Sequence, residues 1–310
     1  MELISLNANY NFVGRIKTAI TISLILICLS FLSVLFQGGL NLGIDFAGGT
    51  LVQIKFPGPT PIDKIRASLK PINLEGSIIQ TMGTDEVVVR VSGAADLKDL
   101  SARVSEALGV FFGKDNFEVR RVEYVGPKVG KDLRNKAIMA ILFSWIGMLI
   151  YITWRFEFRH ALGGILALIH DVIITIGVLS LLGREFNLVI VAAILTVIGY
   201  SINDTIVIFD RIRETARKDT SQPIASVINK SINQTLSRTI LTSLTVLIVV
   251  VVLALFGGAV IRDFAITLIV GVIVGTYSSI FVASPVILFL DKRSGGPGGR
   301  PGLLLDKKKA

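Results

Sequence analysis

The sequence predicts a polytopic α-helical membrane protein of six transmembrane helices, an RND-like half, with one extracytoplasmic α+β ferredoxin-like domain (βαββαβ) between helices 1 and 2. Three observations predict it. The 310 residues are 52% hydrophobic with a mean hydropathy of +0.69, too apolar for a soluble domain. The apolar residues fall in runs long enough to cross a hydrocarbon core of about 30 Å. A single segment of mixed charge with short, periodic apolar positions interrupts those runs after the first. The expected divisions are 1–37, an N-terminus and first helix; 38–133, the α+β domain; 134–292, helices 2 to 6; and 293–310, a flexible basic tail.

Ile16 to Gln37, behind Arg15 and Lys17, is longer than the apolar core of a signal peptide and lacks an A-x-A cleavage pattern, so it reads as a retained helix. In the domain, Thr50 to Phe56 alternates with Val52, Ile54 and Phe56 on one face, a strand pattern. Thr60, Pro61 and Asp63 mark a helix start, and Ile62, Ile65 and Leu69 form its apolar stripe. Ser77 to Met82 and Glu86 to Ser92 read as a hairpin around Gly83-Thr84-Asp85. A second helix from Asp96 carries Leu97, Leu100, Val104, Leu108 and Phe111 on one face, and Phe117 to Val125 returns as a strand. The order βαββαβ is ferredoxin-like, which by itself names no function.

Five further spans follow, near Ala137 to Trp154, Ala161 to Leu182, Leu188 to Phe209, Ile240 to Ala259 and Phe264 to Leu290. Six crossings put both termini on one side, and the basic residues choose it. One face collects Arg15, Lys17, Arg155, Arg159, Arg211, Arg213, Arg217, Lys218, Lys230, Arg238, Lys292 and Arg293. The short loops of the other hold Arg184 and Arg262, so the termini are expected to be cytoplasmic. The net charge of +9 therefore records membrane topology and not nucleic-acid binding. Lys131, Arg134 and Lys136 depart from the pattern on the outer side, where anionic lipid headgroups suit them. The tail, with GGPGGRPG and KKK, is expected to be a membrane-attracted extension.

The stretch Gly199 to Arg213 places Asn203 and Asp204 inside a membrane helix. An ionisable group there costs about 2.5–3.5 kcal/mol on insertion scales, so it marks a functional site or a polar knot between helices. Thr196, Tyr200 and Asp204 recur at i+4, and on the next helix Thr235, Arg238, Thr242 and Thr245 share a side. His170 and Asp171 fall near mid-membrane. Such stripes are expected to face one another or a wet cavity. Asp204 with Arg238 reads either as a proton-coupled switch or as a permanent ion pair. His170 reads equally as a relay or as a satisfied histidine. Gly271, Gly275, Ser279 and Ala283 make a small-xxx-small packing seam. With one Cys, Cys28, and two His there is no disulfide and no metal-ligand spacing. Gly48-Gly49 lacks the GxxxxGK[ST] context of a phosphate loop, and no Ser/His/Asp set is present, so no cofactor and no enzyme are expected.

At GIDFAGGT (Gly43 to Thr50), WRFEFRHALGGILALIHDV (Trp154 to Val172) and GYSINDTIVIFDRIRE (Gly199 to Glu214) the chain resembles the SecF type of the SecD/SecF protein-export family, within the RND superfamily. The resemblance implies a multi-pass protein of the bacterial cytoplasmic (inner) membrane, active in the Sec pathway of protein secretion, that uses proton flow to promote preprotein translocation. It places Asp204 at the family's transmembrane aspartate and Arg238, in Ser237-Arg238-Thr239, at its helix-opening arginine. It makes Asp45, Phe46, Gly48 and Gly49 a structural motif of the outer domain. The implied partners are SecD, which supplies a further acidic group, the SecYEG translocon, YajC, YidC, SecA indirectly, and the preprotein. The alternative is a non-conducting scaffold linking SecD, translocon and membrane insertase. A small-molecule RND exporter is disfavoured, because the outer domain has room for one βαββαβ unit and not two.

Overall fold

The computed structural model describes residues 9–59, 62–82, 84–91, 97–219 and 221–293. Thr60, Pro61, Gly83, Ser92, Asp96 and the basic tail, named above as element boundaries or anchors, lie outside the described residues. After a short 3-10 turn, α1 spans Ile16–Phe36. A one-turn helix α2, Ile44–Ala47, then leads into the domain: β1 Gly49–Lys55, α3 Ile62–Leu69, β2 Ile78–Met82, β3 Glu86–Val91, α4 Leu97–Phe112 and β4 Glu118–Val125. The sheet order is β2-β3-β1-β4 with every pairing antiparallel, the ferredoxin-like arrangement. Val52, Ile54, Val87, Val89 and Val91 from one sheet face pack on Ile65, Leu69, Leu100, Val104 and Leu108 of the two helices. Phe111 is a correction: it is 53% exposed, and Phe112 packs against the core in its place. At 100° per residue Phe111 lies only about 20° from the direction of Leu100 and Phe112 about 120° from it, so the period alone favours Phe111; what draws Phe112 inward is the ring of Phe56, whose centroid is 5.2 Å away at the end of the sheet core.

The membrane bundle is built from α5 Pro127–Arg155, α6 Phe158–Leu181, α7 Leu188–Lys218, α8 Ile224–Phe256, α9 Gly258–Ser278 and α10 Ser284–Arg293, with a π-turn at Ser279–Ala283 between the last two. Among the described residues, six helical stretches are long and apolar enough to span, one of them running unbroken from Ile261 to Leu290 through the π-turn. Two begin earlier than expected. α5 opens at Pro127, whose missing N–H is free at the first helical position, and α8 opens directly after Pro223. The basic residues Lys131, Arg134 and Lys136 therefore lie on α5 itself, exposed, at the end nearest the domain. The helix start is set by the proline, whereas hydropathy detects only the part within lipid.

α6 and α7 form the centre: Ile152, Leu168, Ile190, Ile194, Ile198 and Phe209 are fully enclosed. α5 and α8 stand outside them, with most of their apolar surface turned to the surroundings. The seam on α9 packs as expected. A Cβ on Gly271 would fall on the Val197 side chain, and one on Gly275 would come 3.0 Å from Ser201 Cβ, so the two helices approach as only glycine allows. The π-turn has a local cause: Pro285, having no N–H, cannot close the ordinary helical bond to the preceding turn. The Ser284 hydroxyl donates to the Ser279 carbonyl at 3.0 Å, and Gly163 of α6 makes room for the Ala283 carbonyl, which a Cβ would approach to 2.8 Å.

Candidate functional site

Asp204 sits where α7, α8 and the π-turn meet, and is 7% exposed. Its Oδ1 accepts from Thr239 Oγ1 and its Oδ2 from Ser279 Oγ, both at 2.8 Å. A second buried carboxylate lies across α6. Asp171, 1% exposed, accepts from Ser201 at 2.6 Å and Ser278 at 2.8 Å on Oδ2, and its Oδ1 lies 3.0 Å from His170 Nδ1. His170 Nε2 is 3.2 Å from Ser23 Oγ on α1, which in turn is 3.1 Å from the Tyr277 hydroxyl. Ser201 and Asp204 are three apart on α7 and so point the same way, while the neighbours Ser278 and Ser279 serve one carboxylate each. The two acids thus belong to one polar core of hydroxyls, with Ser243 joining Thr276 at 2.7 Å and Tyr200 at 3.1 Å beside it.

Several sequence expectations are redirected. The inward face of α8 is Thr235, Thr239 and Ser243, all buried, whereas Arg238, Thr242 and Thr245 are exposed. Thr242 and Thr245 donate to carbonyls of their own helix, which satisfies their hydroxyls without a partner helix, so threonine spacing alone does not reveal a facing neighbour. On α7 Thr196 is likewise exposed and bonded to Ala192 O, so of the expected stripe only Tyr200, which donates to Ser243 of α8, and Asp204 turn inward, joined there by Ser201 and Thr205. Arg238 makes no ion pair with Asp204: the adjacent Thr239 occupies that direction, so of the two readings of the pair the permanent ion pair is absent. Asn203 points away from Asp204, into a groove of about 560 Å³ between α5 and α7 lined by Ser144, Gly147, Tyr151 and Gly199. Ser201, Thr239, Ser278 and Ser279 were missed as ligands of the acids. The Ser278-Ser279 doublet inside an apolar helix was the available signal.

The Gly43 to Thr50 motif lies at the junction of domain and bundle. Asp45 Oδ2 accepts from Leu188 N at 2.9 Å, capping the start of α7, where the helix dipole favours a carboxylate. The Phe46 ring meets that of Phe186 at a tilt of 36° with centroids 6.0 Å apart, and Phe46 packs on Ala137 and Val191. Gly48, at φ 73°, takes a left-handed conformation, and a Cβ there would come 3.1 Å from the Pro127 backbone. The Gly43 N–H donates to Phe186 O and the Phe186 N–H to Asn41 O, clamping this segment onto the loop between α6 and α7. Arg90 of β3 pairs with Glu185 of the same loop, both largely enclosed, and Arg184 pairs with Asp263 at 3.0 Å. Burial holds the Arg90 guanidinium below its ordinary value, opposed by the nearby charges of Asp263 and Asp45.

Comparison with known proteins places this architecture. Residues 106–293 match the family model described as protein export membrane protein SecD/SecF, C-terminal, and residues 33–56 match the SecD/SecF GG motif. The chain is 50% identical over 305 residues to the protein translocase subunit SecF of Magnetococcus marinus, covering 97% of this chain and 96% of that protein. It is 48% identical over 295 residues to the one of Calditerrivibrio nitroreducens, covering 94% and 97%. The crystal structure of SecDF from Thermus thermophilus, a translocon-associated membrane protein, superposes with a TM-score of 0.84 at 36% identity over 94% of this chain. The chain spans 40% of that SecDF polypeptide.

Proposed function

Because this chain belongs to the SecD/SecF family and thereby to the Sec export machinery, we propose that it is a SecF-like subunit that, with SecD, uses the proton motive force to promote preprotein translocation. The observation that carries the proton step is Asp204: a carboxylate enclosed at membrane depth, bonded to the hydroxyls of Thr239 and Ser279 and ion-paired to no cation. Hydroxyls accommodate either protonation state, since each both donates and accepts. One charge crossing 100 mV releases about 2.3 kcal/mol, enough to drive a conformational step. His170 and Asp171 extend the same core, and Arg238 modulates Asp204 through its charge. No covalent chemistry is assigned to the chain, and protons are the only coupled species.

The test is preprotein export into inverted membrane vesicles with and without a proton gradient. Asp204→Asn keeps the shape and removes the titration: its oxygen still accepts from one hydroxyl, and its NH2 donates to the other, which can rotate to accept. It is expected to abolish gradient-dependent stimulation, with co-purification of SecD unchanged. Full stimulation in the mutant refutes the proton reading. Loss of SecD from the purified complex supports the non-conducting scaffold instead.

In this reading SecD stands directly against the helix bundle of this chain, as partnership within the Sec machinery requires. We assign the SecD contact to the face where polar groups stand exposed at membrane depth, Asn203 on α7 and Arg238 on α8, since lipid leaves such groups unsatisfied. Gly147 lines the groove beside Asn203, and a Cβ there meets nothing within 4 Å. Gly147→Leu is therefore expected to leave the isolated chain folded while lowering SecD recovery on co-purification about tenfold; equal recovery removes the groove from the interface. The membrane is assigned as the bacterial inner membrane with both termini cytoplasmic, from the Arg and Lys residues around Arg155, Arg211 and Lys218. SecYEG, YajC, YidC and SecA complete the assembly in this reading, and Lys131, Arg134 and Lys136 meet anionic headgroups.

A further inference from the structure

Ser278 and Ser279 are consecutive, yet they donate to different carboxylates: Ser278 to Asp171 Oδ2 and Ser279 to Asp204 Oδ2, each at 2.8 Å. The 100° step between neighbours in a helix makes this possible, because α9 and its π-turn touch both α6 and α7. Each serine also has a second acceptor within reach, Gly275 O at 3.1 Å for Ser278 and Thr276 O at 3.0 Å for Ser279. A hydroxyl carries one hydrogen and rotates. With the carboxylate ionised, the serine hydrogen points to it. With the carboxyl protonated, that proton is donated to the serine oxygen, and the serine hydrogen turns to its own backbone carbonyl. No buried donor is left unpaired in either state, which removes the main obstacle to titration in a water-poor core.

The two rotors are not independent. Ser278 is the last residue of α9 and Ser279 the first of the π-turn forced by Pro285, and that turn is seated on α6 by Gly163 and tied by Ser284 to the Ser279 carbonyl. A shift of Ser279 toward or away from Asp204 therefore moves Ser278 against Asp171. The titratable and charged groups around the pair are His170 and Asp171 on α6, Tyr200 on α7, Arg238 on α8, which acts on Asp204 through space, and Tyr277 on α9; α1 offers the uncharged Ser23.

We propose that Ser278 and Ser279 are positioning residues that link Asp171 and Asp204 into one two-proton unit, in which the protonation of either acid alters that of the other. The proposal deepens the proton reading above and rests on Asp204 exchanging a proton during the working cycle.

Dicyclohexylcarbodiimide reacts with buried carboxyl groups only when they are protonated, so its incorporation at each aspartate, located by mass spectrometry on the full-length protein, reports both sites separately. Ser279→Ala removes a donor to the ionised form of Asp204 and is expected to speed labelling there about tenfold. Through the link it is expected to slow labelling of Asp171 by about threefold. Ser279→Thr, which keeps the hydroxyl, is expected to restore both rates. Asp171→Asn, a change that leaves Ser279 in place, is expected to alter Asp204 labelling by at least about threefold. Changes confined to Asp204 in Ser279→Ala, or an Asp204 rate unmoved by Asp171→Asn, overturn the linkage. If Asp204→Asn leaves export stimulation intact while the cross-effects persist, the transport reading falls and the linked unit stands.

Discussion

Arg90→Met is expected to loosen the α+β domain from the bundle, at a cost of about 3–5 kcal/mol. Arg90 and Glu185 form an ion pair with little exposure, 15% and 6% of their side-chain surface. Removing one partner leaves the other charge buried without compensation, which is far more costly than losing the pair as a whole. The double replacement Arg90→Met with Glu185→Met eliminates both desolvation penalties and is expected to recover most of the lost stability. Thermal unfolding of the purified protein, read together with limited proteolysis of the domain, distinguishes the two. Equal losses in single and double variants refute the buried-pair account. The lowered Arg90 value has the same origin, since burial opposes its charge and the acids of the junction sustain it.

Gly177→Val is expected to displace α1 from α6. A Cβ on Gly177 would fall on the Ser30 side chain and 2.5 Å from its Cα. Because part of the obstacle is backbone, a rotamer change cannot relieve it, and the helices must separate. Such overpacking costs about 1–3 kcal/mol, at the upper end where backbone must move. The separation also acts on the polar core, because Ser23 of α1 contacts His170 Nε2. Cysteine cross-linking between α1 and α6 is expected to fall sharply in the variant while the α+β domain still resists protease. Unchanged cross-linking refutes the close approach.

The elements were largely legible along the chain. Val52, Ile54 and Phe56 alternate as a strand must, and Leu100, Val104 and Leu108 repeat as a packed helix must, so the order and the domain core follow from period alone. Asp204 was legible as well, because an acid in an apolar run stands out by its insertion cost. Its ligands were not. Thr196 and Arg238 carry as strong a polar signal as Ser201 and Thr239, yet the first two are exposed and the second two reach the carboxylates. Small hydroxyl residues satisfy themselves on their own helix, so their presence does not disclose what they face.

The sequence by itself determined that the chain crosses a membrane six times, that a βαββαβ domain follows the first crossing, and that Asp171 and Asp204 lie within the bilayer. These are properties of composition and local period, which each segment carries regardless of its neighbours. Only the tertiary structure decided that Asp171 and Asp204 each take one of two adjacent serines where α9 meets the π-turn, that Asn203 and Arg238 face outward, and that Gly43 to Thr50 clamps the domain to the loop between α6 and α7. The physical reason is rotational. Neighbouring residues of a helix differ by 100°, and which of them turns inward is settled by packing between helices, at contacts such as Gly271 on Val197 and Gly163 on Ala283.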